Sequence, residues 1–198
     1  MSTPSSAHKG VNFAELHCLS NYSFLRGASH PEELVERAHE LGYQAIALTD
    51  ECTYSGLVKA HIAAEKLGIK LIVGAEFAFK TSPSGNSVTE KLVLLAPTRS
   101  AYGQLSAFIS ALRRRAKKGS YSAELKDFSF GLKECLALWI PYQRSIDQQV
   151  SIGQQLKAAL PRLWLALELF HDGYDLDKTA HILTLSSRLQ LPITAANN

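Results

Sequence analysis

Short, almost continuous apolar runs alternate with longer amphipathic segments along this chain of 198 residues. Such runs are typical of parallel strands buried on both faces, because helices cover the two sides of a sheet of this kind. The predicted strands are residues 12–17, 44–49, 70–77, 91–96, 135–140, 163–169 and 192–196, and the predicted helices are residues 31–41, 56–67, 100–116, 145–159 and 175–190. The alternation predicts an α/β fold, either an open doubly wound sheet or a closed β/α barrel.

Local signals mark the ends of the first helices and one turn. Ser29 and Glu32 have the spacing of a capping box, whereas Pro31 suits the first helical position, so the start is defined to within one residue. Gly42 and Gly68 suit the C-terminal caps of the first two helices. Between the third and fourth strands lie only turn-forming residues, 82–87, so we expect a turn there.

Composition excludes several classes of protein. The apolar fraction of 46% and the charged fraction of 20% are ordinary for a globular domain, and a net charge of +3 does not by itself indicate nucleic-acid binding. No apolar run approaches the roughly 20 residues that span a bilayer. Residues 1–10 lack the apolar region of a secretory signal, and we expect them to form a frayed tail. Cys18, Cys52 and Cys135 are widely spaced, which argues against a disulfide framework and fits a reducing cytoplasm.

Acidic, amide and imidazole side chains follow the predicted strands at their C-terminal ends, where both candidate architectures place functional groups. They are His17, Asp50, Glu51, Glu76, Glu168, His171 and Asn198. A rim of such groups can bind a hard or borderline metal ion, or share acid–base chemistry. However, Leu19 stands where a second histidine, two residues after His17, would complete a metal-binding pair. This position favours the remains of an enzyme over an active one.

Several of these side chains also have a structural interpretation. Asp50 suits the cap of a turn or helix, Glu76 suits a structural salt bridge, and His171 suits an ordinary loop. Glu168 lies in an apolar strand and needs a hydrogen-bond partner whatever its function. The sequence pattern leaves both interpretations open.

The densest charge cluster is a basic run near the end of the third predicted helix. It contains Arg113, Arg114, Arg115, Lys117 and Lys118. Such a run could contact the phosphate backbone of DNA. Cations at a helix C-terminus are also commonly solvated and stabilised by the helix dipole, so both interpretations remain.

Several short motifs follow the order found in one known family. They are Glu15-Leu16-His17, residues 20–28, Ala47-Leu48-Thr49-Asp50, Gly56-Leu57-Val58, Val73-Gly74-Ala75-Glu76-Phe77, residues 113–121, Leu167-Glu168-Leu169 and residues 192–197. From residue 12 onward the chain resembles the polymerase and histidinol phosphatase (PHP) domain of bacterial C-family DNA polymerase alpha subunits. Within that family it is most similar to the error-prone, damage-induced branch.

The resemblance implies a distorted seven-stranded β/α barrel over residues 11–198, with a truncated last strand, as the N-terminal fragment of a longer polymerase. In active family members a rim of histidines and carboxylates binds metal ions that hydrolyse phosphoesters. At the matching positions this chain retains His17 and Glu76. By the same comparison, Leu19, Glu51 and Lys91 replace histidines, and Arg26 and Asn198 replace aspartates.

These replacements predict weak or no metal binding and no phosphoesterase activity, because leucine cannot bind a cation and Arg26 and Lys91 add positive charge. We expect Arg26 to pair instead with Glu76 or Glu51 in a structural salt bridge. The alternatives are a residual phosphoesterase that uses His17, Asp50 and Glu76 with zinc or manganese, and a DNA-contacting module.

The resemblance also implies the setting of the domain. The parent polymerase would use magnesium, whereas no cofactor is expected in this fragment. The expected partners are the remainder of the polymerase chain, DNA bound by the parent, and other proteins of the mutagenesis complex. The expected compartment is the cytoplasm, with no membrane contact.

Overall fold

The computed structural model describes residues 13–81, 89–141 and 145–197, and in these ranges seven strands and five α-helices follow one another. The strands are β1 (Ala14–Glu15), β2 (Ala45–Leu48), β3 (Lys70–Lys80), β4 (Thr89–Ala96), β5 (Leu136–Ile140), β6 (Leu163–Leu167) and β7 (Ile193–Ala195). The helices are α1 (Pro31–Glu40), α2 (Leu57–Leu67), α3 (Arg99–Arg114), α4 (Ile146–Ala159) and α5 (Asp175–Leu189), and a 3-10 helix spans Leu125–Ser129. Every predicted element is present. The predicted tail over residues 1–10, the turn at 82–87 and Asn198 lie outside the described residues.

The strands form one sheet in chain order, from β1 to β7. Neighbouring strands are parallel except around β4, which is antiparallel to both β3 and β5. A uniformly parallel interpretation of the apolar runs is therefore wrong for this strand. Only eight residues, 81–88, separate β3 from β4, which is too few for the helical crossover that a parallel connection needs. As a result, the N-terminal end of β4 lies at the same edge of the sheet as the C-terminal ends of its neighbours.

The two faces of the curled sheet bury different apolar clusters. The inward face carries Ala47, Val93, Leu95, Leu138, Ala166 and Ala196, all buried. The outward face packs against α3, α4 and α5 through a larger cluster, and against α1 and α2 through a smaller one. Side chains alternate between the two faces along a strand, and both faces are buried. Residues at odd and even positions are therefore both apolar, which explains the almost continuous apolar runs.

The two outermost strands are linked by a buried side chain. Among the described residues no strand ladder joins β7 to β1. Instead, a carboxylate oxygen of Glu15 in β1 accepts a hydrogen bond of 3.0 Å from the backbone N–H of Asn197, just after β7. The seven strands therefore form the distorted barrel that was expected, with a side chain at the position of the missing ladder.

Helix α1 begins one residue later than its capping-box spacing suggests. The N-cap is His30, and the Glu33 carboxylate accepts a 2.7 Å hydrogen bond from the His30 backbone N–H, while Pro31 occupies the first helical position. The predicted pair of Ser29 and Glu32 is therefore displaced by one position, because proline fixes the φ angle that the first helical residue needs. None of the described helices combines the length and apolarity needed to cross a membrane.

The packing on the outward face generates a stability prediction. Phe128 is fully buried, with ring centroids 5.0 Å from Phe79 and 5.4 Å from Phe108, whereas Phe130 is 77% exposed. We expect Phe128→Ala to lower the free energy of unfolding by about 3–5 kcal/mol, because it leaves a cavity among aromatic rings. Phe130→Ala, the same substitution two residues away, should change it by less than about 0.5 kcal/mol. Urea unfolding of both variants measures the difference, and equal losses would contradict this packing.

Candidate functional site

The fully buried carboxylate of Glu76 is the centre of the rim formed by the strand ends. The Glu76 side chain points inward from β3. Protonatable side chains from three other parts of the chain lie close to its carboxylate. His17 Nε2 lies 2.9 Å from Glu76 Oε2, and Arg26 Nη2 donates to the same oxygen at 2.9 Å while Arg26 Nη1 contacts Oε1. Lys91 Nζ lies 3.8 Å from Oε2. Both carboxylate oxygens are therefore engaged by cationic side chains or by imidazole.

His17 joins Glu76 to a second carboxylate. Its Nδ1 atom lies 2.6 Å from Glu168 Oε1, so the two ring nitrogens face two carboxylates. Burial opposes the charge on His17, but the hydrogen bonds to Glu168 and Glu76 outweigh burial and raise the pKa of the imidazole. A protonated ring donates at both nitrogens, which is the state that this geometry fits.

The electrostatic balance favours charged forms throughout this network. Burial disfavours the Glu76 carboxylate, but hydrogen bonds from His17 and Arg26 and the nearby charges lower its pKa to about 2. The hydrogen bond to Glu76 is the main cause that raises the pKa of the Arg26 guanidinium. Glu76 is therefore an anion whose compensation comes from side chains of the protein itself.

Arg26 also bridges to Glu51, as expected for a salt bridge in this position. Its Nη1 atom donates to Glu51 Oε2 at 3.0 Å, and the other Glu51 oxygen accepts a 2.7 Å bond from the Tyr121 hydroxyl. The Tyr121 oxygen in turn accepts a 2.8 Å bond from the backbone N–H of Ala78. The predicted pairing of Arg26 with Glu76 or Glu51 is thus present with both carboxylates.

Asp50 serves the loop that carries Arg26. Its carboxylate accepts hydrogen bonds from the backbone N–H of Ser20 at 2.8 Å, from the Ser20 hydroxyl at 2.7 Å and from the Ser23 hydroxyl at 2.7 Å. The Ser23 oxygen also accepts from the Glu51 backbone N–H at 2.9 Å. These contacts match the structural interpretation of Asp50, as a residue that fixes a turn. Leu19 lies in the same loop, half-buried.

Of two further predicted positions, His171 lies away from the cluster and Asn198 lies outside the residues that the structure describes. The His171 side chain is 96% exposed, and its backbone N–H donates to Asp175 at 2.9 Å, which matches an ordinary loop residue. Asn198 is outside the described residues. The structure therefore brings together His17, Arg26, Glu51, Glu76, Lys91 and Glu168.

Glu15 and Tyr121 contribute to the site, but no pattern in the sequence assigned them a role. Glu15 is buried and also accepts from the backbone N–H groups of Leu16 and His17, at 2.9 and 3.0 Å. Glu15 and His17 are two residues apart in the predicted strand 12–17, where alternation would place both side chains on one face, and this spacing was the available signal. Tyr121 had no comparable signal, because its partners come from β3 and from the segment after β2.

The three cysteines are free and behave as neutral packing residues. Burial raises the pKa of the Cys18 and Cys52 thiols to about 12 and that of Cys135 to about 11. The thiolate is the form that binds soft metals, so these thiols are poorly suited to metal binding.

The donor set at this rim does not fit a metal ion. Within residues 13–81, 89–141 and 145–197, no group of three or more His, Cys, Asp or Glu side chains has the arrangement to hold one. The nitrogens of His17 and the oxygens of Glu76 face other side chains of the network, and Arg26 and Lys91 place positive charge beside Glu76. What this arrangement does chemically is neutralise a buried anion and tie strand ends together.

The basic run divides into anchored and exposed members. Arg113 donates to the carbonyl oxygens of Cys52 at 2.8 Å and of Glu51 at 3.3 Å. Arg115 donates to the Ser122 carbonyl at 2.8 Å and to Asp127 at 2.8 Å. The other three members, Arg114, Lys117 and Lys118, are exposed.

Comparison with curated proteins identifies relatives of this sequence. The pattern of the PHP domain family matches residues 15–160. An error-prone DNA polymerase of Methylococcus capsulatus is 47% identical over 190 residues, which cover 94% of this chain and 17% of that protein. One of Saccharophagus degradans is 41% identical over 186 residues, again 94% of this chain and 17% of the relative. The chain thus spans about a sixth of the length of these relatives.

Solved structures with the same fold are much more distant in sequence. An amidohydrolase of Chromobacterium violaceum superposes with a TM-score of 0.69 at 18% identity, over 92% of this chain and 86% of that one. A Bifidobacterium adolescentis protein assigned to metal-dependent phosphoesterases superposes with a TM-score of 0.65 at 16% identity, over 93% and 86% of the two chains. At this identity the likeness establishes the barrel fold alone.

The opposite pKa shifts of Glu76 and His17 predict a stability maximum between two pH limits. Glu76 titrates below its ordinary value of 4.5, so its contribution is lost as pH falls from 4.5 towards 2, by about 3 kcal/mol. His17 titrates above its ordinary value of 6.5, so its contribution is lost as pH rises through that raised value. Urea unfolding at a series of pH values measures both limits. His17→Gln should abolish the alkaline loss, whereas the exposed control His171→Gln should retain it; the reverse pattern would exclude His17 as its source.

Removing the guanidinium from this network should be costly. Arg26→Met leaves Glu76 buried without its closest cation, and we expect a loss of about 2–4 kcal/mol in the free energy of unfolding. Arg37→Met breaks an exposed ion pair of 2.9 Å with Glu40 by the same substitution and should cost about 0–0.5 kcal/mol. Equal costs in urea unfolding at pH 7 would show that Arg26 does not stabilise the domain through Glu76.

Proposed function

Because the chain belongs to the PHP domain family, we propose that it is the PHP domain of an error-prone DNA polymerase, where it acts as a structural domain without phosphoesterase activity. The curated relatives in the comparison carry the name error-prone DNA polymerase and are about six times longer than this chain. In this proposal, nucleotidyl transfer with magnesium and synthesis across damaged DNA belong to the remainder of such a polymerase. The partners are that remainder, DNA and other mutagenesis proteins, in the cytoplasm.

One observation carries the proposal of inactivity: Glu76 is compensated by side chains of the protein. In a hydrolytic metal site, a carboxylate and an imidazole at this rim would direct lone pairs towards a cation. Here Arg26 and Lys91 direct positive charge towards Glu76, and His17 lies between two carboxylates. Two unit charges 4 Å apart interact by about 4 kcal/mol at an effective dielectric near 20, so a divalent ion beside these cations would be strongly repelled.

The same contacts support a structural role. The network joins the segment after β1, β3, β4 and the residue that follows β6 through ion pairs and hydrogen bonds. Breaking a buried ion pair destabilises a fold strongly, so the network holds the rim in one arrangement. In the proposed function, that fixed rim gives the remainder of the polymerase a rigid domain to pack against.

Metal content and hydrolysis test the proposal directly. The purified chain, dialysed against zinc or manganese, should contain substoichiometric metal by elemental analysis and should hydrolyse a generic phosphoester no faster than a His17→Ala variant. Stoichiometric metal together with turnover that His17→Ala abolishes would establish the residual phosphoesterase instead.

A reversion variant provides the positive control. Leu19→His, Arg26→Asp and Lys91→His in one chain restore the ligand types that the family resemblance places at these positions. We expect this triple variant to retain zinc or manganese after dialysis, since it removes two cations and adds three ligands. Failure of the triple variant to bind metal while remaining folded would show that these three positions are not what prevents binding.

A further inference from the structure

A groove on the surface of α3 lies next to the exposed members of the basic run. The groove has a volume of about 510 Å³ and lies between α3 and the residues that follow the 3-10 helix. One wall includes Ala107 and Ala111 of α3 and Arg115 directly after the helix, and the other wall includes Phe130 and Gly131. Phe130 is 77% exposed as a residue. The groove therefore combines an accessible ring with an apolar floor.

Uncompensated positive charge flanks one end of this groove. Arg114 follows Ala107 by seven residues and Ala111 by three, so helical geometry places it beside the same face of α3. Lys117 and Lys118 come from the turn directly after the helix. In the described part of the chain, no acidic side chain forms an ion pair with any of these three cations. The surface at this end therefore favours an anionic partner.

Neighbouring charges confine the positive electrostatic potential to the C-terminal end of α3. Arg115 is paired with Asp127, so its charge is balanced within the groove wall. Glu134 accepts hydrogen bonds from Ser100 at 2.6 Å and from Gln104 at 2.8 Å, nearer the N-terminal end of the helix. A polyanion would therefore be attracted at one end of the groove and would extend along it from there.

Hydrogen bonds to carbonyl groups fix the backbone that carries the exposed cations. Arg113 is anchored to the carbonyls of Glu51 and Cys52, and Arg115 to that of Ser122. The turn is closed by hydrogen bonds from the Ser120 backbone N–H and hydroxyl to the Lys117 carbonyl, at 3.0 and 2.8 Å. The alternate arginines of the run therefore hold the segment in place, while Arg114 and the two lysines face solvent.

We propose that the groove along α3 binds single-stranded nucleic acid, with phosphates at Arg114, Lys117 and Lys118 and a base stacked on Phe130. Sequence-tolerant binding of single strands combines a basic track for the backbone with an aromatic ring for the base faces. In a duplex the faces of the bases are stacked on neighbouring base pairs and are not available to Phe130. The exposed aromatic ring therefore favours a single strand. This binding goes beyond the structural role proposed above and does not depend on it.

Fluorescence anisotropy with a short labelled oligothymidylate, at a series of potassium chloride concentrations, tests this surface. The test variant neutralises Arg114, Lys117 and Lys118 to glutamine. The matched control neutralises three exposed lysines on α2 and at the start of β3, Lys59, Lys66 and Lys70. For single strands, each phosphate contact contributes about 0.7 to the slope of log affinity against log salt, so the test variant should lose about 2 units of slope. The control variant should retain the slope of the parent chain.

Phe130 variants test the stacking contact separately. Phe130→Ala should weaken binding about tenfold with an unchanged salt slope, and Phe130→Tyr should restore it. Equal slopes in the test and control variants would overturn the proposal. Undiminished affinity in Phe130→Ala, together with tighter binding to a duplex of the same length, would overturn the single-strand assignment. None of these outcomes affects the metal and hydrolysis assays, so the two proposals fail or stand separately.

Discussion

The rest of this structure depends on the need to compensate one buried negative charge. Glu76 is fully buried on the inward face of β3, and an isolated carboxylate in such surroundings would cost several kcal/mol or would take up a proton. Its compensation comes from His17 and Arg26 in the segment after β1 and from Lys91 in β4. Since these groups belong to separate elements, satisfying one charge fixes the relative positions of the strand ends.

That compensation also bears on what the rim can do. A metal centre and a salt-bridge network both neutralise buried carboxylates, but only the metal centre leaves an electrophile open to substrate. Here the neutralising groups are the guanidinium of Arg26 and the ammonium of Lys91. Both are covalently attached to the chain and offer no exchangeable coordination position. In the proposed structural function, the ion pairs at the rim stabilise the domain and do not act on a substrate.

Asp50, Arg113 and Arg115 are charged residues that fix loops and connect elements of the fold. Asp50 fixes the loop that carries Arg26 through its hydrogen bonds with Ser20 and Ser23. Arg113 links the end of α3 to the segment that holds Glu51, and Arg115 closes the turn beyond the helix. Arg113 and Arg115 thus donate to backbone carbonyl groups, whereas their neighbours Arg114, Lys117 and Lys118 are exposed.

The sequence by itself determined the α/β class, the order and approximate ends of the elements, and the candidate rim. It did so because apolar periodicity and turn residues are local properties of the chain. Only the tertiary structure decided that β4 is antiparallel, which brings Lys91 from the beginning of a strand to a rim otherwise made by strand ends. It also decided which of the candidate groups meet: Glu168 reaches His17, whereas His171, three residues later, points into solvent. Distances between residues far apart in the chain follow from strand order and sheet curvature, which no local pattern encodes.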